Sequence, residues 1–326
     1  MIKSQTIKER IVERYSGICG NPNKFSRIIE EKLKQSFRIN TIKGDKEEVL
    51  DQMKNYDPSI KKISWCENAF ETDLTNLGSS IEHFSGQIYI QELTSMIPPL
   101  IVRDLIKENK ILDCCAAPGS KTTQIADIMN NKGQIIANDA RHGRLKSLRG
   151  NLDRLGITNT SVTLRDFKSF PNTNADLYFV DAPCSSEGTI RKKNAIARKW
   201  RNNDYERFSK MQKGLLKKAC EMAPKGSTIV YSTCTFAPEE NEKVINEIAK
   251  LVEQAIETKF AKIEERLVEA IQKENADFYK LFSANNLKID GILQHCQNQS
   301  INRCENKKTG SDDNHGASID KGNLQN

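Results

Sequence analysis

Histidine is scarce in this 326-residue chain, with four in total, and tryptophan is scarcer, with two. The nine cysteines are an odd number and do not fall into paired CxxC spacings. These shortages argue against a zinc site, which draws on closely spaced Cys and His. The length argues against a secreted scaffold held by disulfides. The thiols therefore read as reduced and the compartment as cytoplasmic. No apolar run approaches the roughly 18 to 20 residues that span a bilayer, so no membrane role is expected. The stretch MIKSQTIKERIVERY is charged throughout, unlike a secretory leader. No internal repeat is found. The formal charge of +7 fits a nucleic-acid partner without requiring one.

The length suggests about two domains. Residues 1 to about 35 carry apolar positions at helical spacing, and Asn21-Pro22-Asn23 breaks them into two helices. SFRINTIKG reads as a short strand closed by Gly44. Asp45 can cap the helix KEEVLDQMKNY, which stops before Asp57-Pro58. IKKISWCENAF reads as a further strand, giving a small α+β unit. SGQIYIQELTSMIPPLIVRDLI leads as a bridge into the next region. From about Asn109 strands and helices alternate: KILDCC, GQIIAND, TSVTLRD, DLYFVDAP and GSTIVYSTC, with helices near 121–130, 141–155, 204–223 and 238–256. This is the pattern of an α/β fold with a mainly parallel sheet. The last 30 residues read as a disordered tail.

Ligands of such sheets bind at the carboxyl ends of the strands. Those ends carry Asp113, Asp139, Asp166, Asp181 and Cys234. The loop in ILDCCAAPGSKTTQIA matches neither GxGxxG nor the phosphate-binding GxxxxGKS/T pattern. It still brings backbone N–H groups and a helix start to a ligand, and Ala116, Ala117 and Gly119 leave room. Asp139 is placed to accept from ribose hydroxyls and Asp166 to serve an adenine. The ligand implied is an adenosine without phosphates, and S-adenosylmethionine fits. Cys184 follows Asp181 after a proline-stiffened turn, and neighbouring strand ends lie about 5 to 10 Å apart, so Cys184 and Cys234 can reach one substrate. Cys114, Cys115 and Cys220 read as core or loop thiols.

The stretches RINTIK, GQIYIQELTSM, LDCCAAPGSKT, AND, DAPCSSEGTIRK and YSTCTFAPEENE occur in this order over about residues 36–250. On them the chain resembles the RsmB/Sun-type family of RNA cytosine-5 methyltransferases. The form of CSSEGTIRK, followed by Trp200, is most similar to the branch acting on transfer RNA. Ribosomal RNA is the alternative substrate, and a non-catalytic RNA-binding or assembly factor on the same fold the alternative role. The resemblance implies a Rossmann-like S-adenosylmethionine-dependent sheet over 106–257. It also implies an N-terminal helical and RNA-recognition-like α+β domain over 1–105 and a divergent, partly disordered tail over 258–326, in a monomer.

Carbon 5 of cytosine is a poor nucleophile. A thiolate added at carbon 6 makes the ring an enamine that can attack a sulfonium methyl, which is covalent catalysis. By the resemblance Cys234 is that nucleophile and Cys184 resolves the adduct. Asp181 contacts the ring edge near N3, and Lys121 helps hold the base. Lys121 and a helix starting near Glu239 are expected to favour the thiolate. The cofactor is surrounded by Cys115, Ala116, Ala117, Pro118, Gly119, Ser120, Lys121, Asp139, Arg144, Asp166 and Asp181. Arg191, Lys192, Lys193 and Trp200 form a candidate RNA-contacting patch. Family members continue into a final strand pair with a Gly-Phe-Phe-like stretch. Here DFYKLFSANNLKIDGIL (277–293) is a poor candidate for it, and without it one sheet edge is left unpaired.

Overall fold

Two sheets organise the residues described by the computed structural model, which are 6–107, 109–191 and 204–255. The first helices are fixed by their caps. Thr6 and Glu9 form a reciprocal capping box on α1 (Ile7–Tyr15). Asn21 caps α2 (Pro22–Glu30), with Pro22 in its first turn. The interruption between the two helices therefore lies before Pro22, not across it.

Strand β1 (Gln35–Ile39) follows, then α3 (Lys46–Tyr56), whose first turn is capped by Asp45 as expected. IKKISWCENAF is not one strand. It splits into β2 (Lys61–Lys62) and β3 (Ala69–Thr72), because two tight turns reverse the chain between them: Cys66 N–H donates to Ile63 O and Ala69 N–H to Cys66 O. A short helix α4 (Ile81–Ser85) and β4 (Ile88–Ile90) complete an antiparallel sheet of order β2-β3-β1-β4. GQIYI thus belongs to this sheet rather than to a bridge. Phe37, Ile39, Val49, Met53, Phe70 and Ile88 form its core.

After α5 (Leu93–Ile101) and α6 (Arg103–Ile106) the alternation begins: β5 (Lys110–Asp113), α7 (Ser120–Ile128), β6 (Gln134–Asp139), α8 (His142–Leu155), β7 (Thr160–Leu164), β8 (Leu177–Asp181), α9 (Asp204–Met222), β9 (Thr228–Ser232) and helix α10 (242–255). All neighbouring strands are parallel, in the order β7-β6-β5-β8-β9. The architecture is α/β with a Rossmann-like sheet. Alternate side chains serve opposite faces, as the period of a strand requires. Leu112, Tyr178 and Val180 pack with Leu215, Ala219 and Met222 of α9. Ile111, Leu177 and Phe179 pack with Ile125 and Ala126 of α7. The strand order reverses between β5 and β8, which opens a crevice at their carboxyl ends.

The two sheets are joined through Arg38 of β1, which is 2% exposed. Its guanidinium reaches Asp127 (3.3 Å) and Thr123 (2.6 Å) on α7, and Gln91 Oε1 (3.0 Å) beside β4. Thr41 donates through both N–H and hydroxyl to the other oxygen of Asp127. RINTIK therefore braces the helix that follows the small-residue loop. The boundary expected at 105/106 falls at the end of α6, and both sheets lie in one compact unit that runs to Ala255. Among the described residues β9 pairs on one side only, and none of their helices is long and apolar enough to cross a membrane. The expected tail and the 277–293 strand candidate lie outside the described residues.

Candidate active site

Strands β5, β6 and β8 end on Asp113, Asp139 and Asp181, and Asp166 lies two residues beyond β7. The loop between β5 and α7 is tight. Its Ala117–Pro118 bond is cis, and Gly119 sits at φ +105°, a region that favours glycine. A Cβ there would also lie 2.8 Å from Leu148 Cδ1. Asp139 is 3% exposed. One oxygen accepts from Ala117 N–H (3.2 Å) and pairs with Arg144 (3.3 Å), and the other accepts from Arg141 N–H (2.9 Å). A carboxylate has about four lone-pair sites, so Asp139 keeps capacity for one further donor. Arg144 also donates to Ala117 O and so holds Asp139 against the loop. Asp166 is exposed and caps the short turn Phe167–Ser169 through Lys168 N–H.

Asp113 is buried behind this rim. One oxygen accepts from Thr122 Oγ1 at 2.7 Å, while the other has no hydrogen-bond partner. Burial pushes its carboxyl up to about 7, opposed by the Thr122 hydrogen bond and raised further by Asp181. Cys114 is buried in the core, Cys115 packs against the same cluster, and Cys220 packs beside Leu216 and Val244. Burial raises all three thiols.

The thiols of Cys184 and Cys234 are 3.2 Å apart and both are free. Strand β9 ends at Ser232, so Cys234 lies in the turn after it rather than on it. That turn aims it at Cys184: Cys234 N–H donates to Cys184 Sγ at 3.3 Å. Ser186 Oγ stands 3.5 Å from Cys234 Sγ. The hydrogen bond from Cys184 lowers the Cys234 thiol to about 7. Burial and Asp181 oppose it, and Ser186 and Lys121 assist. The same hydrogen bond, with burial, raises the Cys184 thiol. The helix start expected near Glu239 is displaced, since α10 begins at 242 after a turn. The neighbouring thiol, not that helix, is the main cause of the shift.

Beside the thiols, Lys121 Nζ lies 2.7 Å from Asp181 Oδ2, and Ser232 Oγ donates to Asp181 Oδ1 at 2.9 Å. Lys121 is almost fully buried, whereas Asp181 is 35% exposed. The pair presents a cation and an anion together at the crevice. Arg191 is turned to the residue that follows α2, donating to Glu31 O at 3.1 Å. Lys192, Lys193 and Trp200 lie outside the described residues.

Residues 100–294 match the family profile described as 16S rRNA methyltransferase RsmB/F, and residues 8–93 that of the N-terminal domain of 16S rRNA methyltransferase RsmF. The chain belongs to the RsmB/F family. It is 40% identical over 223 residues to the ribosomal RNA small subunit methyltransferase F of Aeromonas salmonicida, covering 65% of this chain and 47% of that protein. To the protein of the same name from Shewanella woodyi it is 38% identical over 234 residues, covering 69% and 49%. This RsmB/F chain thus spans about half the length of the curated relatives it matches. A solved methyltransferase homolog from Pyrococcus horikoshii superposes with a TM-score of 0.63 at 32% identity, covering 73% of this chain and 76% of that one.

Sequence reasoning missed the groups that hold the thiol loops of this family member. Glu240 is fully buried and accepts from Ser185 N–H (3.0 Å) and Gln212 Nε2 (2.8 Å). Its backbone oxygen accepts from Tyr231 OH at 2.6 Å. Asn138, also buried, ties the β5, β6 and β7 ends by donating to Cys114 O and Arg165 O and accepting from Thr163 Oγ1 and Arg165 N–H. The signal was present, as Asn138 lies in AND, Glu187 in CSSEGT and Glu240 in PEENE.

Proposed function

We propose that this chain is an S-adenosylmethionine-dependent RNA methyltransferase that modifies carbon 5 of cytosine through a covalent adduct. The observation that carries the reading is the pair of free thiols 3.2 Å apart in the turns that follow two adjacent parallel strands. The names of the relatives support small-subunit ribosomal RNA as substrate, over the transfer RNA that the branch resemblance implied.

The donor set suits the cofactor. Asp139 has one acceptor position left, Asp113 has an unpaired buried oxygen, and the loop between them is built of small residues. Residues 115–121, Asp139, Asp166 and Asp181 would hold it, with Arg144 steadying Asp139. When bound it supplies an electrophilic sulfonium methyl. Cys234, lowered to about 7, supplies thiolate at neutral pH for attack on carbon 6. Charge builds at the N3 edge as the bond forms, and the Lys121–Asp181 pair holds that edge, with Lys121 bringing the proton. Afterwards the carbon 5 proton passes to water, the N3 proton returns to Lys121, and the sulfur–carbon 6 bond breaks with its electron pair returning to the Cys234 sulfur. Cys184, in contact with the attacking sulfur, is assigned to that resolving step as the thiol that hydrogen-bonds the departing Cys234 thiolate.

Methyl-labelled S-adenosylmethionine incubated with small-subunit ribosomal RNA and, separately, with transfer RNA tests the reading. Nucleoside digestion should place the label in 5-methylcytidine from the ribosomal sample. Label in the transfer RNA alone overturns the substrate, and no label in cytidine from either overturns the activity.

A further inference from the structure

Glu187 has no exposed surface. Its carboxylate accepts from the phenol of Tyr15, on α1, at one oxygen and from the phenol of Tyr205, on α9, at the other. Thr235 Oγ1 adds a third donor, 3.3 Å from the oxygen shared with Tyr15. Thr235 follows Cys234 directly, and its hydroxyl also lies 2.7 Å from Ser185 Oγ, next to Cys184. The residue after Glu187 closes the arrangement: Gly188 N–H donates to Cys234 O at 3.0 Å. Only glycine permits that approach, because a Cβ would lie 2.9 Å from the same oxygen. A carboxylate removed from water needs its lone pairs filled. Here hydroxyls from three separate segments donate to the carboxylate, so one buried group ties both thiol loops to two helices.

The helix pair α1–α2 adds further contacts at the same place. Phe236 packs edge-on against Tyr15 (5.9 Å) and Phe25 (5.8 Å). Ile190 packs with Ile11, Tyr15 and Ile29. Arg14 pairs with Glu239 at 2.8 Å and lies 3.9 Å over the Tyr205 ring.

We propose that Glu187 is a positioning residue for the Cys184–Cys234 pair, and that α1 sets it through Tyr15. Being buried, Glu187 touches neither substrate nor cofactor. It acts by fixing the two loops so that the Cys184 thiol faces the Cys234 sulfur. The N-terminal helices then contribute to the reaction without reaching the crevice. The inference rests on the roles proposed above for the two thiols.

The test is site-resolved alkylation of the 326-residue chain by iodoacetamide at pH 7, without RNA or cofactor, read at the Cys234 peptide by mass spectrometry. Loss of the Cys184 contact returns Cys234 toward an ordinary thiol. Tyr15→Phe and Glu187→Gln should therefore slow its alkylation by about threefold or more. In turnover the same variants should lose kcat while KM for S-adenosylmethionine holds. Ile29→Val, which loosens the helix pair without touching Glu187, should lower Tm and leave the alkylation rate unchanged. Wild-type alkylation in folded Tyr15→Phe and Glu187→Gln overturns the proposal, as does equal slowing in Ile29→Val. If Glu187→Gln does not fold, Tyr15→Phe decides alone. Alkylation needs no methyl transfer, so a chain that failed to methylate RNA would overturn the function and leave this result readable.

Discussion

On the β5–β7 side of the crevice, the rim is held from within the strand-end loops and the first turn of α8. Asp139 is fixed by Ala117, Arg141 and Arg144, and Asp166 by Lys168, two residues away. On the β8–β9 side, the thiol loops are held by Glu187 and Glu240, whose partners Tyr15, Tyr205 and Gln212 stand on the helices α1 and α9. The difference matches two tasks. A rim that takes up and releases a small molecule needs shape and a few open acceptors. A pair of thiols proposed to meet one carbon needs fixed separation, which buried hydrogen-bonded carboxylates provide.

The largest expected effect lies on the thiol side. Cys234→Ser should reduce cytosine methylation by about 10³-fold or more, as removal of a covalent nucleophile does elsewhere. It should leave cofactor affinity near wild type in equilibrium dialysis. A matching loss of cofactor binding would erase the distinction between the two sides.

Behind the rim, Arg38→Met leaves Asp127 buried with no cation. The expected cost is about 3–5 kcal/mol in urea unfolding, typical of a broken buried ion pair. The exposed pair Lys34–Asp73, 2.9 Å apart, serves as the control and should leave the urea midpoint nearly unchanged when Lys34 becomes Met.

On the rim itself, Asp139→Asn removes a charged acceptor. Cofactor Kd should rise about 10- to 100-fold, from the roughly 1.5–3 kcal/mol of a hydrogen bond to a charged group. Cys234 alkylation should stay unchanged. Slower alkylation would show that the two sides share their supports.

The smallest effect is in the pH profile. The Cys234 thiol is lowered to about 7 chiefly by Cys184, so thiolate prevails above that pH and is lost below it. Alkylation of Cys234 should rise through about pH 7 in the wild type. In Cys184→Ala the midpoint should move up toward the ordinary thiol value of about 8.5. An unmoved midpoint would assign the shift to Ser186 and Lys121.

How much of this was legible in the sequence differs between the two sides in the same way. The strand ends, the small-residue loop, Asp139 and both cysteines lie in contiguous motifs, so alternation and loop composition located them. For the thiol loops the acidic supports Glu187 and Glu240 lie in the motifs, but their partners were not legible. Tyr15 meets Glu187 across 172 residues of sequence, and periodicity reports only that such a residue faces inward. The turn between β2 and β3 was missed because WCEN lacks the Gly or Pro that usually marks a reversal. The displacement of Cys234 beyond β9 was missed because Ser232, Thr233 and Cys234 continue a strand-like pattern, while the hydrogen bond from Ala182 N–H to Ser232 O is the last rung joining β8 and β9.

The central claim is that Cys234 attacks and Cys184 releases. It is tested most directly by peptide mapping of the protein–RNA adduct in wild type, Cys234→Ala and Cys184→Ser, with unmodified small-subunit ribosomal RNA and S-adenosylmethionine. The account predicts a transient adduct at Cys234 in the wild type, its accumulation at Cys234 in Cys184→Ser, and none in Cys234→Ala. An adduct mapped to Cys184, or one that persists in Cys234→Ala, would contradict it.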